Sequence, residues 1–179
     1  KNKKISMDNI IYLIRNVGGS MDMLYNEINK LINYKKEEQI TKQDIDTICT
    51  KSIESKVFEL IDAIGNKKIE QAVGIYKNLI FNKIAPFMIL SMIARQFRII
   101  LQVKYLDRQG KNIPSIANEL GLRDFVVKQA LAQSKYFTNK VLLEAINECL
   151  EIDNKAKTGI IQDELGVEMI IIKYSSIKF

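Results

Sequence analysis

Apolar positions recur along this chain in steps of three and four, the spacing of one face of an α-helix. No window alternates apolar and polar residues for long enough to predict a strand. A first helix is predicted from Ser6, its N-cap, to Val17, and Gly18-Gly19 ends it. Ser20 then caps a second helix with Met21, Leu24, Ile28, Leu31 and Ile32 on one face, ending near Tyr34. After the charged loop Lys35-Lys-Glu-Glu, Thr41-Lys-Gln-Asp44 opens a short helix. The acid three residues past the cap forms a capping box.

A polar joint at Thr50 to Ser55 separates this small unit from a longer helical array, giving two domains at residues 1–50 and 51–179. Val57, Phe58, Leu60, Ile61 and Ile64 mark one helix; Ile69, Ala72, Val73, Tyr76, Leu79 and Ile80 mark the next. Pro86 starts a long helix at a position where its missing N–H does no harm. That helix is apolar nearly all round, so it is expected to be buried on several sides. Its polar positions gather at Arg95, Gln96, Arg98, Gln102 and Lys104. Gly110 and Pro114 break the chain before two shorter helices, through Ile116 and through Phe125. Thr138 caps a helix carrying Leu142, Leu143, Ile146 and Leu150, and a last helix runs from Gln162 through Leu165, Val167, Met169, Ile170 and Ile172. The predicted class is all-α.

Composition narrows the chemistry. The 179 residues contain no histidine, which removes the commonest general base and metal ligand. Cys49 and Cys149 stand alone, without CxxC spacing, and read as buried small hydrophobes in a reducing compartment. No GxxxxGK[ST] phosphate loop occurs. No cofactor, metal or catalytic residue is therefore expected, and the chain is read as a non-enzyme. Net charge is +6, but 21 acidic residues accompany 27 basic ones, so the surface is mixed rather than polybasic. Arg95 and Arg98 interrupt the best candidate for the ~18 uncharged apolar residues of a membrane span. No membrane association is expected, and the location is read as cytoplasmic. A chain that opens on Lys1 is expected to be a fragment with further sequence upstream.

One motif favours nucleic acid. Ala117, Gly121 and Val127 stand where a helix-turn-helix places a small crossing residue, a turn glycine and an apolar packer. A reading helix, however, exposes polar side chains at its start. Here that start is Arg123-Asp124-Phe125-Val126-Val127-Lys128, a bulky apolar patch with few donors. A pair of helices used for packing fits better, and the nucleic-acid reader is the alternative.

The assembled blocks resemble the delta subunit of the bacterial DNA polymerase III clamp loader. The resemblance rests on Tyr25-Asn-Glu-Ile-Asn-Lys-Leu31, on Val57-Phe-Glu-Leu-Ile-Asp-Ala-Ile64 and on Ile93-Ala-Arg-Gln-Phe-Arg98 with Gln102-Val-Lys104. It continues through Ile116-Ala-Asn-Glu-Leu-Gly121, Phe125-Val-Val-Lys128 and Lys157-Thr-Gly159. The resemblance implies that residues 1–50 form the lid of an AAA+ module and residues 51–179 a helical collar. It also implies that a nucleotide-fold domain, which contacts the sliding clamp, lies upstream. Partners would be the other loader subunits, with DNA bound weakly and without sequence preference at most. Arg95, Gln96, Arg98, Lys104, Phe125 and Lys128 are the expected assembly or nucleic-acid contacts. Catalytic AAA+ lids carry Gly-x-x-Arg, whereas the matching run is Gly19-Ser20-Met21-Asp22. A carboxylate there would repel a triphosphate.

Overall fold

The computed structural model describes residues 3–177. The chain divides into two compact units, one up to Lys56 and one from Val57. The first unit holds β1 (Lys4–Ile5), α1 (Met7–Val17), α2 (Met21–Tyr34), β2 (Gln39–Ile40) and α3 (Lys42–Ile48). The unit boundary falls inside α4 (Ile53–Gly65). The second unit continues through α5 (Ile69–Phe81), α6 (Pro86–Arg108), α7 (Ile113–Leu120), α8 (Asp124–Ser134), α9 (Asn139–Lys157) and α10 (Asp163–Ser176).

Local chemistry sets the helix ends of the first unit. Ser6 accepts from the Asn9 N–H, and Gly18 closes α1 at φ +95°, donating to the Ile14 carbonyl. Thr41 and Asp44 form the full capping box at the start of α3. Burial pushes the Asp44 carboxyl up, but hydrogen bonds from Thr41 and Lys35 outweigh it and hold the group below its usual range. Ser20 occupies the N-cap of α2 without a side-chain bond to it. The core is Leu13, Val17, Leu31, Ile40 and Ile45, with Leu24 and Tyr12 packed at its edge.

Two features of this unit depart from the sequence reading. β1 and β2 pair in parallel, Lys4 with Gln39 and Ile5 with Ile40, and tie the start of the unit to the loop before α3. On α2, Leu24 and Leu31 face inward while Met21 and Ile28 stay exposed, so the expected single apolar face is divided. Glu27 is buried instead. Its carboxylate accepts from the Thr50 N–H at 3.1 Å and pairs with Lys30 at 2.6 Å, which accounts for a buried acid in an apolar setting.

In the second unit α6 is the central element, packed by α7, α8, α9 and α10. Ile89, Leu90, Ile93, Phe97, Ile99, Ile100, Val103 and Leu106 are buried along it. Phe97 meets the Phe137 ring edge-on at 5.6 Å and the Tyr174 ring at 6.1 Å, joining α6 to α10 and to the α8–α9 turn. Tyr174 donates to Glu148 at 2.8 Å, and Tyr76 donates to the Glu164 carbonyl at 2.9 Å, so both buried phenols are satisfied. α6 has the length and mean hydropathy of a membrane span. One broad side of it, from Ile89 to Leu106, is buried against neighbouring helices of its own unit, the alternative explanation for such a sequence, while Phe87, Met88 and Tyr105 stay exposed.

Candidate assembly surface

The polar positions of α6 divide into two groups by depth. Gln96 is buried, and its amide donates to the Gln133 side-chain oxygen of α8 at 2.7 Å. Gln133 in turn donates to the Phe58 carbonyl at 3.1 Å and to Asp62 at 2.8 Å, both on α4. This chain of hydrogen bonds locks three helices together inside an apolar core. Lys104 reaches the far end of α8, where its ammonium donates to the Ser134 carbonyl at 2.8 Å and to the Phe137 carbonyl. A cation is favoured at a helix C-terminus, where carbonyls lack partners. Burial, with Arg108 nearby, pulls the Lys104 ammonium below its usual value.

Gln96 and Lys104 are thus spent inside the unit, which departs from their expected place on a contact surface. Arg95, Arg98 and Gln102 remain on the exposed stripe of α6. Phe125 is half-buried on α8 and Lys128 is exposed. The six expected contact residues therefore do not converge on one patch.

The α7–α8 pair has the turn that its sequence predicts. Gly121 adopts a left-handed φ of +63° and its N–H bonds back to the end of α7. Ala117 and Val127 are buried where the two helices meet. Gln129 and Gln133 also point inward, which leaves Arg123 and Lys128 as the exposed donors near the start of α8, fewer than a base-reading helix usually presents. Phe125 and Val126, the apolar residues at the start of α8, are each partly covered.

The uncovered apolar surface lies on other helices. On α10, Val167, Ile170, Ile171 and Tyr174 face the core, while Leu165, Met169 and Ile172 form an exposed row at i, i+4 and i+7. Between α6 and α9 runs an open trough of about 340 Å³, with Phe87 and Arg98 on one wall and Leu150 on the other. Among the described residues, no group of three or more metal-ligating side chains gathers. Burial raises the Cys49 thiol to about 11 and the Cys149 thiol to about 12, so neither is a reactive thiolate at neutral pH.

A family profile described as "DNA polymerase III delta subunit, C-terminal domain" matches residues 54–174. The chain belongs to that family. The DNA polymerase III subunit delta of Bacillus subtilis is 31% identical over 172 residues, which is 96% of this chain and 50% of that protein. The probable delta subunit of Aquifex aeolicus is 26% identical over 132 residues, covering 72% of this chain and 38% of the relative. The solved structure of the Bacillus subtilis DNA clamp loader delta protein superposes with a TM-score of 0.87 at 30% identity, over 98% of this chain and 52% of that one. The chain thus spans about half the length, or less, of the delta relatives it matches. The delta family profile begins at Glu54, inside α4, close to the boundary between the two units.

The α7–α8 pair packs within its own unit, α7 on α8 and α8 on α6. The sequence did carry a signal for Gln96, since a lone amide in an otherwise apolar row is a candidate for a buried bond. What it could not supply was the partner, Gln133, 37 residues further on.

Proposed function

We propose that this chain is the assembly half of a clamp-loader delta subunit. In this reading the unit from Val57 is the collar that joins other loader subunits, and the unit before it is the lid. A nucleotide-fold domain upstream would make the contact with the sliding clamp. The chain would work in the cytoplasm as a mechanical part of the loader, with no reaction of its own. Asp22 lies exposed in the first turn of α2, where the helix dipole favours an acid and where a nucleotide phosphate would be repelled. DNA contact would be limited to the ~10⁻⁴–10⁻⁶ M range of sequence-independent binding at physiological salt.

The observation that carries the proposal is the outward row Leu165, Met169 and Ile172 on a helix whose opposite side is core. Three large apolar side chains left exposed in a row mark an interaction surface, so this row supports a partner on that side. The remaining loader subunits would bury about 1,200–2,000 Å² in a stable contact. Replacing Met169 and Ile172 together with aspartate should weaken the affinity of the full-length protein for the other subunits by about a hundredfold, or about 2.7 kcal/mol. Thermal unfolding of the free variant should stay near that of the parent, because both side chains are already exposed. Unchanged affinity in a titration with the purified subunits would remove α10 from the interface.

A further inference from the structure

The trough between α6 and α9 has a chemistry of its own. Phe87, Ser91, Ala94 and Arg98 follow one another along α6 at helical steps of three and four, so all four line one wall. The two small residues in the middle leave a depression between the ring and the guanidinium. Buried Leu90 and Cys149 lie beneath it, and Leu150 stands on the opposite wall. Phe87 is 62% exposed and Leu150 is 60% exposed, so both apolar rims face outward. Across the trough Asp153 and Lys157 neutralise each other in an ion pair at 2.5 Å. Arg98 has no ion-pair partner among the described residues and is the uncompensated charge of the lining.

We propose that this trough receives an acidic amphipathic helix from a neighbouring loader subunit. An aliphatic side chain of that helix seats over Ser91 and Ala94, and a carboxylate one turn away pairs with Arg98. This inference rests on the assembly reading above and names the chemistry of one contact within it. The spacing follows from the wall itself: Ala94 and Arg98 are four residues apart, about 6 Å along a helix. A partner helix presents an apolar anchor and an acid at the same spacing when they stand at i and i+4. The trough is an open channel rather than an enclosed cavity, which favours a helix laid along it. A small ligand would be expected to bury ~70–90% of its surface, and this lining does not enclose one.

The experiment uses the full-length protein reconstituted with the other loader subunits. A photo-crosslinking benzoylphenylalanine at Ser91 is irradiated in the complex and the adducts are mapped by mass spectrometry. In parallel, Arg98→Glu and Arg98→Lys are compared for affinity. The expected adduct is a helical segment of another subunit that bears an aliphatic residue and an acid one turn apart. Arg98→Glu should weaken assembly about tenfold or more while Arg98→Lys stays within about threefold of the parent, because a rim charge acts through its sign. An adduct without any effect of Arg98→Glu overturns the acidic partner. If the complex forms but Ser91 gives no adduct, or marks only nucleic acid or the protein's own upstream domain, the trough is not this contact and the assembly reading stands. If the unmodified parent forms no complex, the assembly reading fails and this inference fails with it.

Discussion

Gln133→Ala is expected to destabilise the protein by about 3 kcal/mol, since it orphans several buried partners at about 1–3 kcal/mol each. The side chain is fully buried, accepts from Gln96 and donates to the Phe58 carbonyl and to Asp62. Truncation removes all three bonds at once. Asp62 is only half-buried and can turn to water, but the Gln96 amide cannot. At about 2–4 °C per kcal/mol for a chain of this size, the melting temperature should fall by about 6–12 °C. The double replacement Gln96→Leu with Gln133→Leu should recover much of that loss, because two apolar groups leave nothing unpaired across the α6–α8 contact. Denaturant titration followed by circular dichroism measures both. A loss under about 1 kcal/mol for Gln133→Ala would mean that the network is not closed as described.

Gly65→Ala should cost about 2–3 kcal/mol, although alanine is intrinsically the better helix former by about 1 kcal/mol. A Cβ built at Gly65 lies 2.5–2.7 Å from the Cδ2, Cγ and Cβ atoms of Tyr136. Those atoms are at the root of the side chain and cannot swing clear, so either α4 or the turn after α8 must shift. The same replacement at Gly74, where nothing lies within 4 Å, should be neutral or slightly stabilising and serves as the control. If both alanines behave alike in thermal unfolding, the close approach of α4 to Tyr136 is wrong.

Much of this fold could be read from the chain because its helices announce their ends. Ser6, Thr41 and Thr138 each accept the backbone bond that their spacing predicts, and Pro86 and Gly18 start and stop helices for local steric reasons. What escaped was decided between segments. The β1–β2 pairing joins two dipeptides 35 residues apart, and two residues carry no periodicity to detect. The direction in which α2 and α10 face was also hidden. Met21 and Ile28 look like core beside Leu24 and Leu31, and Leu165 looks like core beside Val167. A helix with apolar residues around much of its circumference has a weak preferred face, and tertiary neighbours make the choice.

The candidate surface was harder to read for the same reason. Lys104 and Arg98 are both cations on α6, six residues apart, yet one caps α8 and the other stands alone at the edge of a trough. Their difference comes from which helix end lies opposite, and a linear pattern cannot show that. Gly121 and the α7–α8 turn were legible, but the inward aim of Gln129 and Gln133, which argues against base reading, was not.

The central claim is that this chain is built to assemble with other loader subunits and not to read DNA. Sedimentation velocity of the 20.6 kDa chain mixed with the remaining purified subunits tests it most directly, with labelled duplexes run in parallel. The account predicts a stoichiometric complex with the subunits and indistinguishable weak binding to cognate and scrambled duplexes. A chain that sediments alone beside those subunits, yet prefers one duplex sequence by 10³ or more, the discrimination of specific binders, would contradict it.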